Sequence, residues 1–276
     1  MPGDDKPSSI AYLQKHQKSI KRANRIVIVG GGAVGVQMAC DLKEIYPEKD
    51  VTLVHSREKL MPLYHEALSD LIKARFEALG VKTVLGKRVV LSAGGQFPTT
   101  NEESKPFEVQ LQNGQTIPAD FAILATGQTP NNQFLAGLEP SAPDSLVNPK
   151  NGFVPVLPTM QFRDPRYPHL FAVGDIADSG AHKAARPGQA QAAVAAKNIA
   201  ALVEGREPVE KIEVAPPAIH LTLGLTKNVI FRNPNVALGV IEPFINLKDD
   251  GAPDMNIEAV WTRRGVKVSS PSEYHL

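Results

Sequence analysis

A chain of 276 residues with 42% apolar and 21% charged side chains can bury one large core or two modest ones. Thirty basic against 29 acidic residues leave a formal net charge of +1, which excludes broad attraction to nucleic acid or to an anionic membrane. Cys40 is the single cysteine, which excludes a redox disulfide within the chain, and no apolar run reaches bilayer-spanning length.

The start, Met1-Pro2-Gly3-Asp4-Asp5, is acidic and has neither an apolar secretory core nor a myristoylation signal. The expected address is the cytosol, with the periphery of mitochondria or of lipid surfaces as the other location open to it. Residues 6–23 hold Lys6, Lys15, Lys18, Lys21 and Arg22 with few large apolar side chains, so 1–23 is expected to be a solvated helical lead-in outside the core.

Near Arg25 the pattern changes. Ile26-Val27-Ile28-Val29 reads as a buried strand running directly into the spacing Gly30-x-Gly32-x-x-Gly35. The first glycine permits a tight turn, the second lets backbone approach a pyrophosphate, and the third lets helix and strand pack closely. The helix that follows aims free N–H groups and the positive end of its dipole at the phosphates. Gly30, Gly31, Gly32, Ala33, Val34 and Gly35 are therefore the candidate dinucleotide cradle. Val34, Met38, Leu42 and Ile45 follow helical spacing, Pro47 stops the helix, and Val51-Thr52-Leu53-Val54 reads as a second buried strand. An ordinary glycine-rich turn is the alternative, and the order strand, turn, helix, strand weighs against it. Cys40 falls inside this helix and is expected to pack as a small apolar side chain.

An NAD site usually places an acid on the ribose hydroxyls at the end of the second strand. This chain has His55-Ser56-Arg57 there instead, so no carboxylate repels a 2′-phosphate. Arg57 or His55 can pair with one, or Arg57 is a solvated loop charge. The expectation is that NADPH is accepted at least as well as NADH.

Further on, Leu68, Leu71, Ile72 and Leu79 share a helical face closed by Gly80, and 81–85 reads as a strand. A β-excursion over 88–91 and 107–111 turns at Asn113-Gly114 and returns, and the polar insert 94–105 is expected to be mobile. Phe121-Ala122-Ile123-Leu124-Ala125-Thr126-Gly127 reads as a buried strand ending in a small-residue turn, followed by proline-rich, irregular chain over 129–158. His169-Leu170-Phe171-Ala172-Val173-Gly174-Asp175 reads as another apolar strand, followed by an alanine-rich helix over 187–204 capped by Gly205. Asp175 is positioned to take a sugar-like hydroxyl while N–H groups near Gly188 face a phosphate, or it is simply a turn residue. Residues 206–276 read as a small β-rich cap, and no internal repeat is present.

Together Gly30-x-Gly32-x-x-Gly35, Ala125-Thr126-Gly127 and the 171–175 segment follow the order of the flavoproteins with two dinucleotide-binding domains. The stretch from Ile26 to Ser56 resembles the apoptosis-inducing-factor-like, ferroptosis-suppressor branch of the pyridine nucleotide-disulphide oxidoreductase superfamily, without the redox disulfide. The resemblance covers about residues 10–205. It implies an α/β fold comprising a Rossmann-like NAD(P)-binding domain (24–128), a partial FAD-binding domain (129–205) and the small β-rich C-terminal cap (206–276). It further implies that Gly30, Gly32 and Gly35 hold NAD(P)H, that Thr126-Gly127 marks the crossing between domains, and that Asp175, after Gly174, binds the ribityl chain of FAD. Lys183 and the helix around Gly188 would lie close to the flavin. Hydride would pass from nicotinamide to flavin, and electrons onward to a quinone-like acceptor.

Two departures stand out. Gln37 replaces a glutamate common in the family, and the strand and glycine turn that hold the ADP half of FAD have no counterpart in this chain. The expected consequences are weak or absent FAD binding and association, including homo-oligomers, through exposed flavin-side surface. His182 and Lys183 are the candidates for chemistry, because a cation above a flavin favours its anionic reduced form. His55, His65, His169 and His220 show no metal spacing and read as surface or satisfied histidines, and no metal site is expected. Trp261 with Arg263-Arg264 is either a partner contact or an exposed strand end. Three readings follow: a flavin-dependent NAD(P)H:quinone oxidoreductase, a truncated NAD(P)-binding module without turnover, or a cell-death-related interaction protein.

Overall fold

The computed structural model describes residues 5–91, 97, 106–127, 129–251, 257–267 and 269–270. In chain order the elements are α1 (Lys6–Arg22), β1 (Arg25–Val29), α2 (Ala33–Ile45), β2 (Asp50–Val54), α3 (Glu66–Leu79) and β3 (Lys82–Val84). They continue as β4 (Phe107–Gln110), β5 (Thr116–Ala119), β6 (Phe121–Leu124), β7 (Val154–Pro155), β8 (Ala177–Asp178) and α4 (Ala185–Val203). Last come β9 (Ala218–Thr222), β10 (Lys227–Arg232), β11 (Phe244–Asp249) and α5 (Ile257–Arg263). Two compact units form: Met1–Thr126 with Ala218–Arg232 and Glu242–Leu276, and Gly127–Pro217 with Asn233–Ile241.

The first unit is built on a parallel sheet of order β3-β2-β1-β6, with Ile26 opposite both Val51 and Phe121. Its central strands are apolar at nearly every position because both faces are covered. Ile26 and Ile28 join one core with Val51, Leu53, Leu68, Ile72 and Phe76, while Val27 and Val29 join another with Val89, Val109 and Ala119. This is the two-residue alternation of a strand read from both sides.

α2 packs through Gly35, Val36, Ala39, Cys40 and Leu42. Of the expected face Leu42 is buried and Met38 packs against the core, but Val34 is 60% exposed and Ile45 51% exposed. The small side chains Gly35 and Ala39 let the helix approach the sheet, so the buried stripe is not the one with the largest residues. The lead-in is also corrected. α1 begins at an Asp5 cap that accepts from the Ser8 N–H at 2.8 Å, and it buries Ser19 and Ile20 in the first unit. Lys49, 4% exposed, donates to the Lys21 carbonyl at 3.0 Å and to that of Ala23, closing the helix with an ammonium.

β4 and β5 pair across the Asn113-Gly114 turn, but 88–91 contributes only the bridge Val89 to Leu111. The insert 94–105 lies outside the described residues except Phe97, which stacks on Phe107 at 6.0 Å between centroids. The 206–276 segment carries the small antiparallel sheet expected of it. Its antiparallel sheet β9-β10-β11 sends Leu221, Leu223, Val229 and Phe231 into the first unit's core, and 257–263 is helical where a strand end was the alternative.

The second unit centres on Leu135, Leu146, Val154, Val156, Met160, Phe162, Ala172, Ala177 and Ala195. The strand expected over 169–175 is not a ladder. It makes one isolated bridge, Gln161 to Phe171, and enters a 3₁₀ turn at Gly174–Ile176. Its apolar residues are packed by α4 and the 154–162 segment, so burial is achieved without strand pairing. α4 starts two residues earlier than expected and ends at Val203, before Gly205 with φ +72°.

Candidate functional site

The turn between β1 and α2 uses its glycines for four different reasons. Gly30 has φ +126°, and a Cβ there would lie 2.2 Å from the Ala125 carbonyl oxygen. At Gly31 a Cβ would meet Leu60 Cδ2 at 2.6 Å and His55 Cγ at 2.7 Å. At Gly35 it would sit 1.9 Å from the Gly30 carbonyl oxygen. At Gly32, among the described residues, it would meet nothing within 4 Å. Gly32 is the N-cap of α2 with ordinary φ −84°, and no side chain caps the helix there. Gly32 and Ala33 are half-buried and Val34 exposed, so the uncapped end is open to solvent. A space that chain packing does not fill, at unshielded N–H donors and a positive dipole end, fits a diphosphate.

The loop after β2 holds this turn in place. Gly31 N–H donates to His55 Nδ1 at 3.0 Å, and the Gly31 carbonyl accepts from Met61 N–H at 2.8 Å. Met61 itself is buried with φ +49°, a conformation rare for a side chain of its size. Burial pushes the His55 imidazole below its ordinary range, the nearby Arg57 guanidinium adds to this, and the backbone at Lys59 opposes it. His55 thus turns Nδ1 toward the backbone of the turn, and its lowered pKa favours the neutral ring. Ser56 and Arg57 are exposed, and the Arg57 guanidinium has no ion pair among the described residues. The contacts of Leu60 and Met61 with the turn, and of Ala125 with Gly30, are not legible in the sequence because no local pattern links residues about 30 and 95 positions apart.

Thr126 and Gly127, exposed and with Gly127 at φ +108°, lie where the chain passes from one unit to the other. In the second unit Gly174 has φ +78°, and its N–H donates to Gln191 Oε1 at 2.7 Å. A Cβ on Gly188 would approach Gly174 Cα at 3.3 Å, so α4 crosses close over this turn. Asp175 is exposed, with no hydrogen bond or ion pair among the described residues. The Lys183 ammonium donates to the Ala177 carbonyl and lies 4.1 Å from the Phe153 ring centroid. Burial of that end lowers its pKa, against the pull of Asp178 and Asp175. His182 Nδ1 is buried without a hydrogen-bond partner among the described residues. Gln37 donates to Thr222 Oγ1 at 2.7 Å, a bond within the first unit. Among the described residues no cluster of His, Cys, Asp or Glu forms a metal site, and no helix is long and apolar enough to cross a membrane.

The parallel sheet with its glycine turn and crossover helices makes the first unit a Rossmann-like α/β domain. Residues 2–196 match the pyridine nucleotide-disulphide oxidoreductase family, and the chain belongs to it. It is 36% identical over 268 residues to Fe-regulated protein 8 of Mycosarcoma maydis, covering 95% of this chain and 61% of that protein. Ferroptosis suppressor protein 1 of Mus musculus is 30% identical over 226 residues, covering 80% and 56%. Among solved structures, the water-forming NADH oxidase from Lactobacillus brevis bound to NADH shares the fold at TM-score 0.59 and 21% identity, over 93% of this chain and 48% of that one. The chain thus spans less than two thirds of the length of these relatives. The resemblance read from the motifs holds at the level of the family, whose cofactors are FAD and NAD(P)H.

Proposed function

We propose that this chain handles the pyridine nucleotide in a FAD-dependent NAD(P)H oxidoreductase that delivers electrons to a quinone-like acceptor. The observation that carries the reading is the unfilled space at Gly32, beside an uncapped helix end in a family of such enzymes. When bound, NAD(P)H supplies a hydride, and FAD accepts it and passes electrons on. Gly30 and Gly35 set the turn, and the N–H groups of Gly32, Ala33 and Val34 receive the diphosphate. Arg57, exposed and without an ion pair among the described residues, takes a 2′-phosphate at the end of β2. In the second unit Asp175 offers its exposed carboxylate to the ribityl hydroxyls. Lys183 braces the Gly174–Asp178 turn through the Ala177 carbonyl. The names of several relatives, among them FAD-dependent oxidoreductase FVFD30 of Flammulina velutipes, support this assignment.

Titration of the purified chain with NADH and NADPH, followed by nicotinamide fluorescence, tests the nucleotide site. Both should bind, with NADPH at least as tight as NADH and losing about tenfold, or ~1.4 kcal/mol, in Arg57→Ala. NADPH affinity that ignores Arg57 removes that residue from the site, and absence of binding by either nucleotide refutes the reading. Adding FAD and a soluble quinone then asks whether nicotinamide oxidation follows. Oxidation that never exceeds the flavin-only rate would reject the quinone acceptor.

A further inference from the structure

The residue that the sequence offers to a ribose phosphate is engaged elsewhere. His55 Nδ1 accepts from the N–H of Gly31, the middle residue of the cradle, and His55 Cγ occupies the space that a side chain at position 31 would need. The backbone of His55 is fixed on both sides, its N–H on the Val84 carbonyl at 2.8 Å and its carbonyl on Lys87 N–H at 3.1 Å. The imidazole therefore has a rigid mount. Nε2 is buried and has no hydrogen-bond partner among the described residues.

These contacts fix the tautomer. With Nδ1 accepting, the single proton of the neutral ring sits on Nε2. A second proton would have to go on Nδ1, where it would point at the Gly31 N–H, donor against donor. Gly31 would then lose its acceptor and swing off the ring, and its neighbours Gly30 and Gly32 would move with it.

We infer that His55 is a positioning residue for the pyridine-nucleotide site, a latch that holds the glycine turn only while its imidazole is neutral, so that nucleotide affinity is linked to pH. The inference rests on the reading of that turn as the nucleotide cradle. Arg57 is the charged side chain acting on the imidazole, and it opposes protonation. The turn presents only Gly31, and the 60–61 segment presents apolar side chains. β3 and the residues after it meet His55 through backbone groups of Val84 and Lys87, while the Lys59 ammonium is turned to the Tyr64 carbonyl at 2.7 Å. The affinity is therefore full above the ordinary histidine range and falls as pH drops through the lowered pKa of the folded protein.

The test is an NADH titration of the full chain between about pH 5 and 8 for wild type, His55→Ala and His55→Asn. Asn places Oδ1 the same number of bonds from Cα as Nδ1 and does not titrate. Wild-type affinity should fall by up to about tenfold per pH unit below the folded pKa. His55→Ala should be weaker by about five- to tenfold at neutral pH, and His55→Asn should recover most of that loss and show no pH dependence. A pH profile in His55→Asn matching the wild type overturns the inference. A second readout needs no nucleotide: the Gly31 amide resonance of the free chain should shift with the His55 titration and lose that dependence in His55→Asn. A Gly31 resonance indifferent to pH overturns the latch. Failure of wild type to bind NADH at any pH counts against the functional reading instead, leaving the Gly31 titration to decide the latch.

Discussion

Replacing Gly32 by alanine should leave folding almost untouched and weaken nucleotide binding, whereas alanine at Gly35 should damage folding first. The contrast comes from the two Cβ positions: open space at Gly32, and the Gly30 carbonyl oxygen 1.9 Å away at Gly35. At Gly32 φ is −84° and ψ −175°, which alanine adopts without strain. Losing glycine's unfolded-state entropy stabilises by about 0.4–1 kcal/mol, and alanine's poorer N-capping offsets a similar amount. The net change is within ~1 kcal/mol, a melting shift of about 2–4 °C for a protein of this size. Gly35→Ala must push the Gly30 carbonyl aside, an overpacking cost of about 1–3 kcal/mol. For binding, the new methyl of Gly32→Ala stands where a diphosphate would meet backbone N–H groups, and a loss of at least about tenfold, ~1.4 kcal/mol, is expected. Scanning calorimetry gives the first number and NADH titration the second. A Gly32→Ala protein that melts normally and binds NADH with wild-type affinity would show that the space is not used by the nucleotide. One that unfolds would show that the turn needs this glycine for its own packing.

Three further outcomes follow from the chain's titratable groups. Burial pushes the Cys40 thiol up to about 12, so its alkylation at neutral pH should be negligible in the native chain and appear only with unfolding, as a mass shift in denaturant would report. Asp164 is buried, and although burial raises its pKa, the Ser141 N–H, the Ser145 hydroxyl and the Arg166 N–H outweigh this and hold it at about 2. Its folded pKa is depressed, so the stability it contributes is full above an unfolded value of about 3.9 and is lost as pH falls toward 2. Denaturant midpoints in that acid range should therefore fall less for Asp164→Asn than for wild type. Lys49→Met keeps the buried stem but leaves the Lys21 and Ala23 carbonyls without their donor, a loss of about 1–3 kcal/mol that urea unfolding would register.

The parts of this fold legible in the sequence are those set by neighbours in the chain. β1, the glycine turn, α2 and β2 follow from a run of β-branched residues, three spaced glycines and a proline stop, all within about 30 residues. What escaped was set by partners far away. In the 169–175 segment Ala172 is buried and Leu170, Phe171 and Val173 are partly so, yet α4 and a loop supply their packing, and nothing in the composition separates that from strand pairing. β9 and β10 carry ordinary alternating residues, and long-range ties, such as Leu221 and Phe231 in the first unit's core and the Gln37–Thr222 bond, assign them to that unit. The α2 face turns away from Val34 and Ile45 because its closest contact residues, Gly35 and Ala39, are small, and size is what hydrophobic patterning weighs.

The site shows the same division at a finer scale. Gly30, Gly31, Gly32 and Gly35 are identical letters, and a spacing rule treats Gly31 as the free position. In the folded chain Gly30 and Gly35 answer to backbone carbonyls, Gly31 to an imidazole and Leu60, and Gly32 to nothing among the described residues. A residue whose lack of a side chain has no internal cause points outward, to something the protein binds. A residue held by a titratable ring points inward, to how firmly that site is held. Position 31 is therefore closed to a side chain by its packing, as Gly30 and Gly35 are and Gly32 is not, and its constraint comes from Leu60 and from His55, the side chain standing where other dinucleotide sites keep an acid for the ribose.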